Sequence, residues 1–148
     1  MLHVEHYGEG PELMLLHGWA MHGAVFSDWT RLLGEHFRVT VVDLPGHGHS
    51  REAEPGELAQ WAEAVLEVAP ARAAWIGWSL GGLVALAAAG AAPERFRALV
   101  LLASTPRFVT CAGWQTAVDA QVFDQFAGQL DASVERTLSR FMALQVRG

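Results

Sequence analysis

Lysine is absent from this 148-residue chain, and all ten basic residues are arginine. That bias is one of genomic composition rather than mechanism. Sixteen acids leave a formal charge of −6. No basic patch stands out, which excludes a general nucleic-acid binder. Cys111 is the single cysteine, so no internal disulfide can form, and a reducing compartment is expected. No basic segment precedes an apolar run at the N-terminus, which argues against a signal peptide. The longest apolar stretch, Leu83 to Ala92, is too short and too rich in Ala and Gly to span a bilayer. A cytoplasmic protein with no membrane contact is expected. Histidine is missing from the whole second part of the chain: the seven are His3, His6, His17, His22, His36, His47 and His49.

What is present points to a packed core. Hydrophobic residues make up 51% and charged residues 18%, a balance that excludes disorder. Leu13 to Leu16, Val39 to Leu44, Ala73 to Trp78 and Leu99 to Ala103 read as strands, the continuous apolar ones as strands buried on both faces. Leu2 to Tyr7 reads as an antiparallel edge strand. Between them, Arg31 to His36 ends an amphipathic helix, Leu58 to Ala69 has helical spacing closed by Pro70, and Leu80 to Ala89 is a helix small enough to be buried. Strand–helix alternation implies a mainly parallel α/β sheet flanked by helices. After Thr105-Pro106 no further strand is expected. Trp114 to Leu130 and Ala132 to Leu144 read as two helices, the start of a helical cap. A core over residues 1–105 and a cap over 106–148 follow, and the fourth main strand should be left partly exposed.

The most specific signal is Gly77-Trp78-Ser79-Leu80-Gly81. G-x-S-x-G is common by chance, but here it follows a buried strand and opens a helix, the context of a nucleophile elbow. The turn is so tight that its glycines must lack a Cβ, and the serine backbone is strained. Ser79 then sits at a helix N-terminus, where N–H groups and the helix dipole favour developing negative charge. An oxyanion hole needs two N–H donors. Leu80, the residue after the nucleophile, supplies one; Trp19, in His17-Gly18-Trp19, is the candidate for the other, with its indole walling the acyl pocket.

Asp43, in Asp43-Leu44-Pro45-Gly46-His47-Gly48-His49-Ser50, is read as a turn-shaping residue, because in this fold acid and base follow the serine. His47 and His49 are assigned to the same turn, and no metal is expected there. Serine needs a base within hydrogen-bond reach, yet no histidine follows Ser79, and Ser104-Thr105-Pro106 offers no acid. Asp119, Asp124 and Asp131 fall in the cap region. The expectation is a C-terminally truncated chain, lacking the last strands and with Ser79 deprived of its general base. An incomplete reading of a longer gene would look the same.

Four stretches together resemble the pimeloyl-acyl-carrier-protein methyl ester esterases of biotin synthesis. They are Leu15-Leu16-His17-Gly18-Trp19, Val42-Asp43-Leu44-Pro45-Gly46, Trp75-Ile76-Gly77-Trp78-Ser79-Leu80-Gly81-Gly82-Leu83-Val84 and Arg140-Phe141-Met142-Ala143-Leu144-Gln145. The tryptophan before the serine and the Phe-x-Ala-Leu-Gln segment discriminate best. The resemblance implies the α/β-hydrolase fold and hydrolysis of the methyl ester of pimeloyl-carrier protein, with no cofactor. It implies Ser79 as nucleophile, Trp19 and Leu80 as substrate contacts and oxyanion site, and Phe141, Met142, Ala143, Leu144 and Gln145 as the lining of the acyl channel. The implied partner is an acyl-carrier protein bearing the ester, and the enzyme is expected to act as a monomer.

Charge agrees with such a partner. Arg136 and Arg140 are spaced i, i+4 on one helix face, with Phe141 and Leu144 on an adjoining one. Residues 104–148 hold four arginines (107, 136, 140, 147) and four acids (119, 124, 131, 135), so residues 1–103 carry the whole −6. Arg136 and Arg140 are read as the contact for an acidic carrier protein. Other ester or acyl hydrolases of the same fold, and a non-catalytic acyl- or carrier-binding remnant, are the competing readings.

Overall fold

The computed structural model describes residues 1–53 and 56–145. Five strands form one sheet: β1 (Val4–Tyr7), β2 (Glu12–Leu16), β3 (Arg38–Val42), β4 (Ala73–Trp78) and β5 (Phe96–Leu102). Their order is β1-β3-β2-β4-β5. β1 runs antiparallel to β3; every other pairing is parallel. The helices of this part are α1 (Ser27–Leu33), α2 (Leu58–Val68) and α3 (Leu80–Ala91). This is the α/β architecture expected from strand–helix alternation, with the antiparallel edge strand in place.

Period-two alternation sorts the strand side chains onto two faces. Met14 and Leu16 of β2 meet Val42, Leu44 and Trp75, and pack against Ala62 and Val65 of α2 and Val84, Ala85 and Ala88 of α3. Leu13 and Leu15 point the other way, with Val39, Val41 and Phe26. Helix α3 carries Gly81, Gly82, Ala85 and Ala88 among its buried residues, so its backbone lies close to the sheet. α2 is opened by a capping box, the Glu57 amide donating to Gln60 Oε1 at 2.8 Å. Its C-terminal end is tied down by Arg95. Nη2 of that residue reaches the carbonyls of Leu66, Ala69 and Pro70 at 3.2, 3.0 and 3.0 Å. Phe96, next in sequence, stacks on the fully buried Trp75 with ring centroids 4.4 Å apart.

Three boundaries differ from expectation. β5 begins at Phe96 rather than Leu99, because the turn Pro93–Arg95 delivers the chain to the sheet edge earlier. α1 ends at Leu33, where the Gly34 amide closes the helix on Thr30 O. The segment from Trp114 is not helical until Ala120. Cys111 and Trp114 form a bridge, Val109 pairs with Val118, and the Asp119 carboxylate caps the helix through the Gln121 amide at 2.8 Å. In β5 the half-buried Phe96, Leu99 and Leu102 are separated by pairs of exposed residues, with Val100 and Leu101 in the open, as expected of the last main strand.

The chain divides into two compact units, Met1–Pro106 and Arg107–Gly148. The second contains α4 (Ala120–Ala132) and α5 (Val134–Gln145). Inside it, Phe126 and Phe141 face each other at 6.2 Å. The buried Thr137 hydroxyl lies 2.9 Å from Gln129 O and 2.8 Å from Ser133 O, which fixes the first turn of α5 to the end of α4.

Candidate active site

β4 feeds α3 through a single residue, Ser79, whose backbone is held at φ 52°, ψ −115°. A positive φ at a non-glycine residue costs free energy, about 1–3 kcal/mol, and persists only where its surroundings over-determine it. Here they do. The Ser79 amide donates to Leu102 O at 2.9 Å, and its carbonyl accepts from Ser104 Oγ at 2.7 Å, from the Gly82 amide at 3.0 Å and from the Leu83 amide at 3.2 Å. With the backbone clamped on both sides, the hydroxyl makes no cap bond to the helix.

The neighbouring glycines are required by space. A Cβ on Gly77 would lie 2.5 Å from Gly82 Cα and 2.6 Å from Gly81 O. One on Gly81 would collide with the carbonyl oxygens of Leu16 and His17, and one on Gly82 would sit 2.5 Å from Ser104 Cβ. The elbow is therefore pressed against the end of β2, its neighbour in the sheet.

β2 runs directly into His17-Gly18-Trp19. A Cβ on Gly18 would come within 3.4 Å of Ser79 Cβ and 3.3 Å of Trp78 Cε3, so this loop lies on the elbow. The left-handed residue of the loop is Ala20, at φ 61°, with the Met21 amide bonded to Gly18 O at 3.2 Å. A methyl at Gly18 would be a tight contact that Trp78 must yield to by a few tenths of an ångström, so the glycine eases the close approach. Trp19, next to it, is half-buried.

His17 underlies this loop and is fully buried. The Leu44 amide donates to its Nε2 at 3.0 Å, so Nε2 must be unprotonated, and the proton on Nδ1 goes to Gly18 O at 2.8 Å. Burial pushes its pKa down to about 4, with nearby His47 adding to the effect against the opposing pull of Gly18 O. Asp43 is also buried. Its Oδ1 accepts from the Gly23 amide at 2.6 Å and its Oδ2 from the His49 amide at 2.9 Å. Burial alone would raise its pKa, but those two amides, with His17 and His49, outweigh it and hold the carboxyl below its ordinary range. The turn-shaping role read from the sequence is present. The bond to Gly23, twenty residues upstream, is a tertiary link no local pattern announces.

The chain matches the α/β-hydrolase fold family over residues 11–148. It belongs to that family. The chain is 47% identical to the pimeloyl-[acyl-carrier protein] methyl ester esterase of Vibrio campbellii over 99% of its own length. That match covers 58% of the relative, so this α/β hydrolase chain spans little more than half the length of the curated relatives it matches. Among solved structures it is similar to a hydrolase from Pseudomonas aeruginosa PA01, with 30% identity and a TM-score of 0.77, covering 96% of this chain and 53% of that one. An esterase from Exiguobacterium antarcticum shares the fold with a TM-score of 0.78 at 24% identity, covering 95% of this chain and 55% of that one.

Ser79, Leu80, Gly18 and Trp19 of this α/β hydrolase are thus gathered at one end of the sheet. The remaining expected site residues lie in the second unit. Arg136 and Arg140 line a groove of about 210 Å³ with Gln129, Ala132, Ser133 and Thr137. Phe141 and Met142 are half-buried, whereas Ala143 and Leu144 are exposed. Gln145 closes α5, and its side chain lies outside the described part. Sequence reasoning missed Ser104, whose hydroxyl locks the elbow. Its only signal was its place just beyond the strand beside β4. No helix among the described residues is long and apolar enough to cross a membrane.

Proposed function

We propose that this chain carries the nucleophile half of a carboxylic-ester hydrolase acting on the methyl ester of a pimeloyl-acyl-carrier protein. The observation that supports it is the clamped, left-handed Ser79 with Gly18 packed against its Cβ, which sets a hydroxyl at a helix N-terminus beside a loop of amides. The 47% identity to a relative of that name directs the choice of substrate.

In this reading Ser79 Oγ attacks the ester carbonyl and gives its proton to a general base. The carbonyl oxygen becomes an oxyanion, held by the amides of Leu80 and Trp19. Methanol leaves with a proton from the base, and water then releases the acyl group from Ser79 by the same steps. Phe141, Met142, Ala143, Leu144 and Gln145, in the cap, line the acyl channel, and Arg136 and Arg140 hold the acidic carrier. No metal or cofactor takes part, and the enzyme works as a monomer.

In this reading the base, which follows the serine in this fold, lies outside the described residues. His17 has both ring nitrogens committed, and no histidine follows position 49. A serine without a base retains only the contribution of the oxyanion site and binding. The 148 residues alone should therefore turn over ester far below the level of an intact esterase. Joined to the part of the Vibrio relative that they do not match, they should release methanol from methyl pimeloyl-carrier protein. A serine-directed phosphonate should label Ser79 in the joined protein, and Ser79→Ala should abolish both label and turnover. Hydrolysis that survives Ser79→Ala would refute the assignment.

The groove beside Arg136 and Arg140 also favours a second reading, a chain that binds acyl-carrier protein without catalysis. Carrier binding by the 148 residues, with no label on Ser79 even in the joined protein, is its mark. In either case the arginine pair should matter. Arg136→Glu with Arg140→Glu should weaken use of the carrier-bound ester about tenfold, roughly 1.4 kcal/mol for two exposed charges. A small free ester should be unaffected; equal loss on both substrates would count against a carrier contact.

A further inference from the structure

We propose that His3, Asp43 and His49 form a zinc site that ties the N-terminal strand to the loop after β3. The sequence shows no such site: His3 is forty residues from Asp43, and His49 was read as part of a turn. Pairing of β1 with β3 removes that separation. Val4 lies opposite Val42, and the Asp43 amide donates to His3 O at 3.1 Å, so His3 is delivered beside the carboxylate. One ligand atom each from His3, Asp43 and His49 lie within 4.8 Å of one another.

The donor set suits zinc. Two imidazoles and one carboxylate are borderline donors of the kind found at three-ligand zinc centres, with a fourth position for water. Zinc bonds of about 2.0–2.2 Å in a tetrahedral shell place ligand atoms roughly 3.3 Å apart. His49 Nδ1 and Asp43 Oδ2 are already at 3.3 Å. The rings of His3 and His49 are neighbours, with centroids 4.5 Å apart. The His49 side chain is 71% exposed, so a ring rotation can complete the shell and water can reach the metal.

The surroundings supply the outer contacts that orient metal ligands. Nε2 of His3 lies 3.4 Å from Glu5 Oε1, which leaves Nδ1 for the metal. Glu5 is itself held by the Tyr7 hydroxyl, donating to Oε2 at 2.6 Å. Asp43 is fixed by the amides of Gly23 and His49. The site is also separate from the nucleophile. β2 lies between β3 and β4, so Asp43 and Ser79 leave strands roughly 10 Å apart. Zinc here fastens chain segments and does not activate water for the ester.

Zinc titration of the purified chain by calorimetry, together with thermal unfolding, tests this. One zinc should bind per chain. At a zinc concentration one hundred times Kd, the folded-to-unfolded ratio should rise about a hundredfold, about 2.7 kcal/mol. His3→Ala and His49→Ala should each lower the affinity by at least tenfold while keeping the wild-type circular dichroism. His36→Ala, an exposed histidine outside the cluster, should leave binding intact. No binding, more than one weak equivalent, or equal binding in His3→Ala and His49→Ala would each overturn the proposal. Because none of these readouts involves ester turnover, they stand apart from the fate of the hydrolase reading.

Discussion

Lowering the pH from 7 to 4 should cost the folded state up to about 3 kcal/mol through His17 alone. A histidine in the unfolded chain takes up a proton near pH 6.5, whereas buried His17 does so only near about 4. Between those values the unfolded state binds more protons than the native one, so stability rises with pH. The His17 contribution is fully present above 6.5 and is lost progressively as pH falls towards 4. The gap between 6.5 and about 4 corresponds to about 3 kcal/mol. The structural reason is specific. A second ring proton would sit on Nε2, facing the Leu44 amide that now donates to it. Urea unfolding at pH 7, 5.5 and 4 checks the slope against His17→Gln, which does not titrate. Parallel losses in the two proteins would show that His17 is not the group responsible. Asp43 acts in a lower window. Its depressed pKa gives stability that is present above the ordinary carboxylate range and lost as pH falls through its folded value, so it cannot account for a loss that begins near 6.

Two glycine-to-alanine changes in α3 should move stability in opposite directions. Gly81→Ala drives a methyl into the carbonyl oxygens of Leu16 and His17, which belong to a central strand and the loop it enters. Neither can retreat without breaking the sheet or moving the amides beside Ser79. A loss of about 3 kcal/mol is expected, at the upper end of overpacking costs. Gly90→Ala adds the same methyl to the same helix where nothing lies within 4 Å. It should gain about 0.5 kcal/mol from helix propensity and from a less mobile unfolded chain. Chemical denaturation of both variants decides the matter, and a neutral Gly81→Ala would mean that the elbow is less tightly pressed on β2 than described here.

The contrast between these glycines explains why the elbow was legible in the sequence. Gly77, Ser79 and Gly81 lie within five residues, and the steric demand they answer is local, so the pattern and its strand–helix setting coincide. β2 and β3 were legible as continuous apolar runs, because nearly every residue of each is buried. Reading failed where a distant partner decides. Trp114, Val118 and Val122 have helical spacing, but the Cys111–Trp114 bridge and the Asp119 cap postpone the helix to Ala120. The start of β5 was placed three residues late because its first residues are held by Trp75 and by the carbonyls that Arg95 gathers, neither of which is near in sequence. The meeting of His3 with Asp43 and His49 depends wholly on strand pairing.

The open flank of β5 governs how these 148 residues should behave when made by themselves. Its amides and carbonyls on the side away from β4 have no strand partner among the described residues, and Val100 and Leu101 stand beside them in water. Only Arg97 puts a charge on this border, which contains no proline. In a polypeptide of these 148 residues made by itself, that border has the form of a template for a further strand, and a second copy of the same border is one candidate. Overexpression of the 148 residues alone should therefore favour clumping through this margin, and joining them to the remaining part of the Vibrio relative should suppress it.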